Sequence, residues 1–258
     1  MTRLLSGVAL AAAALAAILF LPVVALRVLA CLVAALTAQE YLRMVHASPA
    51  LSGVGPWLLL VAVTCWWMLL PGLYDVVWLV LVGVAWVAIE VIFRGLTIDQ
   101  AGTRFFAPWY IGMPLGLLTT VHAQYGAYVT LLLIATVVVS DSAQYYSGRA
   151  FGRRPLAPAI SPRKTIEGAI GGVVFGTLFM AIAGSRLLPG AAPVPLVAAG
   201  LAVVVLGICG DLFESRLKRV AGVKDSSALI PGHGGILDRI DALLFATPAY
   251  FLFLRTVA

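Results

Sequence analysis

Residues 196–219 read LVAAGLAVVVLGICGDLFESRLKR. From 196 to 210 no residue is charged, and then Asp211, Glu214, Arg216, Lys218 and Arg219 follow within nine positions. As an α-helix, residues 196–211 would rise roughly 22 Å at 1.5 Å per residue. That carries Asp211 most of the way through a hydrocarbon core about 30 Å thick. The stretch is the pattern of a membrane-spanning helix with a carboxylate near one edge and basic residues beyond it.

The apolar half of this pattern recurs along the whole chain. Eight further runs can be placed at 4–21, 23–38, 56–70, 76–93, 108–121, 127–146, 167–188 and 240–257, beside 196–213 itself. Pro22, the Pro71-Gly72 pair and the stretch 189–195 punctuate them as turns. Of 258 residues, 62% are hydrophobic and 11% charged, against roughly 25% charged in soluble domains. The predicted fold is therefore all-α, a polytopic integral membrane protein with about nine transmembrane helices. We read 1–258 as one membrane domain, in which spans within 1–125 form a scaffold and 126–258 carry the catalytic spans and loops. Residues 4–21 follow Arg3 and exceed a signal peptide's apolar region of about 7–15 residues, so they are expected to be retained as a span.

Charge orients the chain. Nine spans put the N-terminus and the loops after the second, fourth, sixth and eighth spans on one side, with 14 of the 17 basic residues. Only Arg27, Arg186 and Arg255 fall opposite. The positive-inside rule makes the basic side cytoplasmic, in the cell's inner (plasma) membrane. The net charge of +6 does not form the continuous basic face a nucleic-acid partner needs, which excludes that class. Cys31, Cys65 and Cys209 sit in apolar runs without metal or disulfide spacing, and read as buried hydrophobes.

Two loops on the basic side carry the chemistry. The first is DSAQYYSGRAFGRRPLAPAISPRKTIEG, 141–168; the second is GDLFESRLKRVAGVKDSSALIPGHGGILDRID, 210–241. Asp141 lies roughly 21 Å along its span, like Asp211, and Asp238 can reach a similar level from the last span. An unpaired carboxylate at that depth costs several kcal/mol, so it should face a polar cavity and find a cation. One such Asp could pair with an Arg at a helix end; three at one depth point to more than that. A hard divalent ion such as Mg²⁺ takes one or two carboxylates, several waters and substrate phosphates. Asp211 and Asp238, from different helices, suit it. Asp241 shares a helix face with Asp238, and Asp141 is either a third ligand or the orienter of a basic residue.

The remaining motif residues suit phosphate. Ser161, Arg163, Lys164 and Thr165 offer charge and hydroxyl donors just before a helix start, whose free N–H groups favour anions. Glu167 there reads as a capping residue. In PGHGG, Gly232, Gly234 and Gly235 allow sharp turning around His233. Lys218 and Arg219 suit phosphate contacts and membrane-edge anchoring equally, and Glu214 with Lys218 is an ordinary i,i+4 pair.

From Ser215 to Asp241 the chain resembles the signature of phosphatidate cytidylyltransferases (CDP-diacylglycerol synthases): S-x-apolar-K-R, four residues, K-D, then P-x-H-G-G-x-x-D-R-x-D. Ser215, Lys218, Arg219, Lys224, Asp225, Pro231, His233, Gly234, Gly235, Asp238, Arg239 and Asp241 meet its fixed positions. Gly210-Asp211 and the element from Ser161 to Gly168 are also similar to that family. The resemblance implies condensation of CTP with phosphatidate, giving CDP-diacylglycerol and pyrophosphate, in a helical membrane enzyme that is often a homodimer. It implies Asp211, Asp238, Lys218 and Asp241 as catalytic residues. Ser161, Lys164, Thr165, Arg219, Lys224, Asp225, His233, Gly234, Gly235 and Arg239 would bind substrate. A divalent metal would sit on Asp211 and Asp238, with a second, monovalent ion beside it. Gln144 is a departure, standing where many members carry Ala.

Two rivals remain at this point. A related cytidylyltransferase would use an ether or isoprenoid lipid phosphate instead. An ion-coupled transporter would also bury aspartates, but internal repeats are not evident in the chain. Other features read blandly: Glu40 with Arg43 and Glu90 with Arg94 as local pairs, His46 and His122 without ligand-like companions, and Gly168, Gly172 and Gly176 as a smooth face packing the seventh span inside the subunit.

Overall fold

The structure is a computed structural model describing residues 2–45, 55–67, 73–230, 232 and 234–257. His46, the Pro71-Gly72 turn, Pro231 and His233 lie outside the described residues. The helices are α1 (Thr2–Phe20), α2 (Val23–Val45), α3 (Gly55–Trp67), α4 (Leu73–Arg94), α5 (Ile98–Ala107), α6 (Met113–Tyr125), α7 (Ala127–Phe151), α8 (Ile166–Leu187), α9 (Pro193–Val220) and α10 (Leu237–Val257). Among the described residues, six of them contain segments long and apolar enough to cross a membrane, and Gly7–Phe20 and Gly55–Trp67 are shorter apolar helices. Large apolar side chains lie on the outside, with Phe20 81%, Phe93 80% and Val194 79% exposed. Water would penalise such a surface and lipid does not. The protein is an all-α, multi-pass membrane protein.

Several boundaries differ from the sequence expectation, among them the end of α2, expected at 38 and found at Val45. The helix expected to begin at Pro108 starts ten residues earlier and runs α5, a π segment (Pro108–Gly112) and α6 without a break. Proline lacks the N–H that an α-helical ladder needs there, and a π turn absorbs the interruption. The first basic loop is largely structured: α7 continues to Phe151, and β1 (Pro155–Ala157) pairs antiparallel with β2 (Ser161–Thr165). Likewise α9 continues past Phe213 to Val220. The last turns of these helices are polar, so hydropathy falls off while the helical hydrogen bonding continues.

The chain divides into two compact units, residues 1–120 with 220–239 and residues 121–219 with 240–258. In the first, α3 meets the π segment so closely that a Cβ on Gly112 would lie 2.6 Å from the Val61 carbonyl oxygen. Tyr41 donates its hydroxyl to the Thr103 carbonyl at 3.1 Å and packs edge-on against Tyr110. Cys31 and Cys65, expected to lack a cysteine neighbour, are side-chain neighbours here, and both are free thiols. Their separation in sequence concealed a contact made between α2 and α3.

In the second unit, small residues let helices approach. Gly126, at φ +83°, turns the chain into α7. The Gly168, Gly172 and Gly176 face is covered within the unit by Gln144 and Ser140 of α7 and by Val204 of α9, as the sequence suggested. A Cβ on Gly168 would lie 2.7 Å from the Gln144 carbonyl oxygen and 3.3 Å from the Gly148 Cα. Both are backbone atoms of a helix and cannot swing aside. Gly168→Ala is expected to cost about 1–3 kcal/mol, read as a lowered thermal unfolding midpoint in detergent.

Candidate active site

The second unit holds a cavity of about 610 Å³ lined from three elements. Helix α7 supplies Asp141, Gln144, Tyr145, Gly148 and Arg149; Asp211 comes from α9. The remainder is the segment that ends β2 and starts α8, including Ser161, Arg163, Lys164 and Thr165. The hairpin exists because the chain must leave α7 at Phe151 and return to start α8. Glu167 fixes that return, accepting from the Arg153 and Arg154 backbone N–H groups at 3.0 and 3.2 Å and from Arg154 Nε at 3.1 Å. Thr165 caps α8, its hydroxyl accepting from the Gly168 N–H at 3.1 Å. The capping role expected of Glu167 is thus shared: Thr165 caps the helix and Glu167 ties down the incoming strand.

Within the cavity, Lys164 forms an ion pair with Asp211, and the Ser215 hydroxyl donates to Asp211 Oδ1 at 3.4 Å. Gln144 Nε2 donates to Asp141 Oδ1 at 3.0 Å and lies 3.3 Å from Ser140 Oγ. The charges of Asp141, Asp211 and Asp241 act on one another, so three carboxylates sit in one electrostatic neighbourhood. Arg149, Arg163 and Lys164 offset them along the wall. Asp241 Oδ1 accepts from the Ala242 N–H at 2.8 Å. A Cβ on Gly210 would lie 2.5 Å from the Asp241 carbonyl oxygen, so α9 and α10 touch beside these acids. Lys218 is paired with Glu214, which is fully buried, and Arg219 Nε donates to the Ile160 carbonyl at 3.3 Å, fastening α9 to the hairpin.

The other motif residues belong to the first unit. Asp238 stands in the first turn of α10. Its Oδ2 accepts from the Gly235 N–H at 2.8 Å, the Ser226 N–H at 2.9 Å and the Ser226 hydroxyl at 2.8 Å. Gly234 has φ +78°, and a Cβ there would lie 2.6 Å from Asp238 Oδ2. Both features account for its glycine. The Ile230 N–H donates to the Gly234 carbonyl at 2.8 Å and closes the turn. Lys224, Asp225 and Arg239 are exposed on this segment.

Glu40 of α2 was expected to pair locally with Arg43. Its carboxylate is instead 5% exposed and accepts from Ser227 Oγ, Ile236 N and Leu237 N at 2.7–3.0 Å, with Ser226 Oγ, whose one proton it shares with Asp238, 3.0 Å away. In sequence it stands two positions beyond the apolar run at 23–38, outside the depth at which a buried acid stands out. Arg43 three positions on gave it a false partner.

The sequence profile described as "Cytidylyltransferase family" matches residues 1–257. The chain belongs to that family. Among curated members and relatives, the phosphatidate cytidylyltransferase of Haemophilus influenzae is 45% identical over 139 residues, 51% of this chain and 48% of the relative. That of Bacillus subtilis is 42% identical over 164 residues, 60% of this chain and 59% of the relative. The uncharacterized Escherichia coli protein YnbB is 43% identical over 149 residues, 58% of this chain and 48% of the relative. The chain thus spans about half the length of most curated relatives it matches. For a cytidylyltransferase-family protein, the cavity between α7, β2, α8 and α9 has the makings of a phosphate site: cationic side chains, a helix N-terminus and flanking carboxylates.

Proposed function

We propose that this protein transfers the cytidylyl group of CTP to phosphatidate, forming CDP-diacylglycerol and pyrophosphate at the cytoplasmic face of the inner membrane. The observation that carries it is the Lys164–Asp211 pair in a cavity at the start of α8, walled by Arg149 and Arg163, in a chain of the Cytidylyltransferase family. The names of the Haemophilus and Bacillus relatives support the substrates. The excess of basic residues on one side of the nine runs supports the orientation.

A phosphate oxygen of the lipid attacks the α-phosphorus of CTP, the bond to the bridging oxygen breaks, and pyrophosphate leaves with that electron pair. The nucleophile is already an anion, so no general base is needed. Catalysis is then mostly positioning and charge neutralisation. Lys164, Arg149 and Arg163 neutralise phosphate oxygens, Thr165 and the first turn of α8 orient them, and Ser161 adds a hydroxyl. Acyl chains reach the site from the leaflet, which explains why a nucleotide reaction is housed in membrane helices.

The donor set fits a hard divalent ion. Asp141 and Asp211 present only oxygen to the cavity, and among the described residues no three acidic, histidine or cysteine side chains gather into a complete metal site. Such a set suits Mg²⁺, which keeps waters and borrows substrate phosphates. By resemblance to the family signature alone, Asp211 and Asp238 would hold it, with a monovalent ion as companion; Asp141 lines the same cavity as Asp211. When bound, the ion would supply Lewis-acid neutralisation of the nucleotide phosphates. A homodimer stays part of this reading, through a seam other than the glycine face of α8, which α7 covers.

Gln144 lines the cavity and bonds Asp141, so this departure bears on the acceptor lipid. The test incubates purified protein with CTP, Mg²⁺ and phosphatidate, then follows pyrophosphate and CDP-lipid, with ether and isoprenoid lipid phosphates as parallel acceptors. The expected result is turnover with phosphatidate that chelation abolishes. No CDP-lipid from any acceptor would overturn the activity, and preference for another acceptor would overturn phosphatidate alone.

A further inference from the structure

We infer that Glu40 is a positioning residue for catalysis, holding the 226–238 loop in its working shape from a helix outside every recognised motif. This rests on the proposed function, because the loop leads into Asp238 and its neighbours in the signature. The geometry is specific. Oε1 accepts from the Ser227 hydroxyl at 2.7 Å and the Ile236 N–H at 3.0 Å; Oε2 accepts from the Leu237 N–H at 2.9 Å and shares the Ser226 hydroxyl proton, at 3.0 Å, with Asp238 Oδ2. Both ends of the loop are therefore gripped by one carboxylate, buried in α2.

Ser226 joins this grip to the signature acid, since its hydroxyl lies 3.0 Å from Glu40 Oε2 and 2.8 Å from Asp238 Oδ2. The Ile236 and Leu237 N–H groups belong to the start of α10, where a negative charge is favourable. Gly235 completes the seat: a Cβ there would lie 2.5 and 2.6 Å from the Glu40 oxygens. A buried carboxylate with three donors of its own and a fourth shared is costly to assemble and rigid once assembled. A purely local anchor would not need to bind both ends of a segment nearly two hundred positions away in sequence.

Glu40→Gln keeps the shape but turns one oxygen into an NH₂ that must face donors. The expected result is a fall of at least tenfold in kcat/KM, with KM for CTP raised more than kcat is lowered. Hydrogen exchange in the peptide 226–237 should be faster, and the thermal midpoint lowered by a few degrees with the protein still folded. Ser227→Ala, which removes one donor, should shift the same readings in the same direction by a smaller factor, and serves if Glu40→Gln does not fold. The inference is overturned if either folded variant keeps wild-type kcat/KM and exchange. It is equally overturned if activity falls only in proportion to folded protein, with KM for CTP unmoved. Exchange is read without substrate, so a wild-type protein inactive on CTP and phosphatidate would refute the activity while leaving the anchoring measurable.

Discussion

Asp211→Asn is expected to lower CDP-lipid formation by about 100- to 1,000-fold while leaving the protein folded. The two halves of that expectation have separate causes. Asp211 and Lys164 side chains are 33% and 22% exposed, so their pair is partly solvated and worth about 1 kcal/mol or less in stability. The amide is nearly isosteric, and Ser215 can still donate to its oxygen. The thermal midpoint in detergent should therefore move by only a few degrees, by the size scaling for about 1 kcal/mol. Turnover is another matter. Asp211 is itself an anion, and acts by positioning Lys164 and, in the proposed reaction, a divalent ion where phosphate charge is redistributed; misplacing such a cation commonly costs that much rate. Lys164→Met should be similarly severe, and the double variant little worse than either single one, because the pair acts as a unit. Pyrophosphate release within threefold of wild type by a folded Asp211→Asn variant would remove Asp211 from the reaction.

How much of this was readable beforehand follows from what each signal depends on. Apolar runs mark helices in lipid because every backbone group must be satisfied within its own segment, and α8 and α10 begin and end within three residues of expectation. Hydropathy says nothing once a helix leaves the hydrocarbon, so the last turns of α7 and α9 and the β1–β2 hairpin went unseen. The motif at 161–168 was legible because phosphate chemistry demands cations and hydroxyls at close spacing, and the cavity does bring Ser161, Lys164, Thr165 and Asp211 to one wall. Gln144 and Arg149 joined them through the pitch of α7, which places residues three or four apart on one face. Glu40 was not legible as a partner of Ser226 and Ser227, since a contact across 186 positions leaves no local trace. The apparent pair with Arg43 shows the hazard of satisfying every acid with its nearest base.

Glu90→Ala should be the most destabilising single change considered, at about 3–5 kcal/mol, although it touches no motif. Its side chain is fully buried. Oε1 accepts from Arg94 Nη1 at 3.2 Å and Arg104 Nη1 at 3.0 Å, and Oε2 accepts from Trp57 Nε1 at 2.7 Å. The expected i,i+4 pair with Arg94 is present, but it is the lesser part. Arg94 is 44% exposed and can turn outward, whereas the Arg104 side chain is only 10% exposed. Removing the acid takes the Glu90 carboxylate from the buried Arg104 guanidinium and the acceptor from the fully buried Trp57 indole. Three helices, α3, α4 and α5, lose their common polar contact at once. Glu90→Gln should cost less, because an amide oxygen can still receive the Trp57 N–H. Arg94→Ala should cost about 1 kcal/mol or less. Replacing Glu90 and Arg104 together by apolar residues of similar volume should recover most of the loss, since no buried charge then remains. Thermal unfolding of the four variants in one detergent tests that order; a Glu90→Ala protein as stable as Arg94→Ala would mean that the buried acid contributes no more to the fold than its exposed partner does.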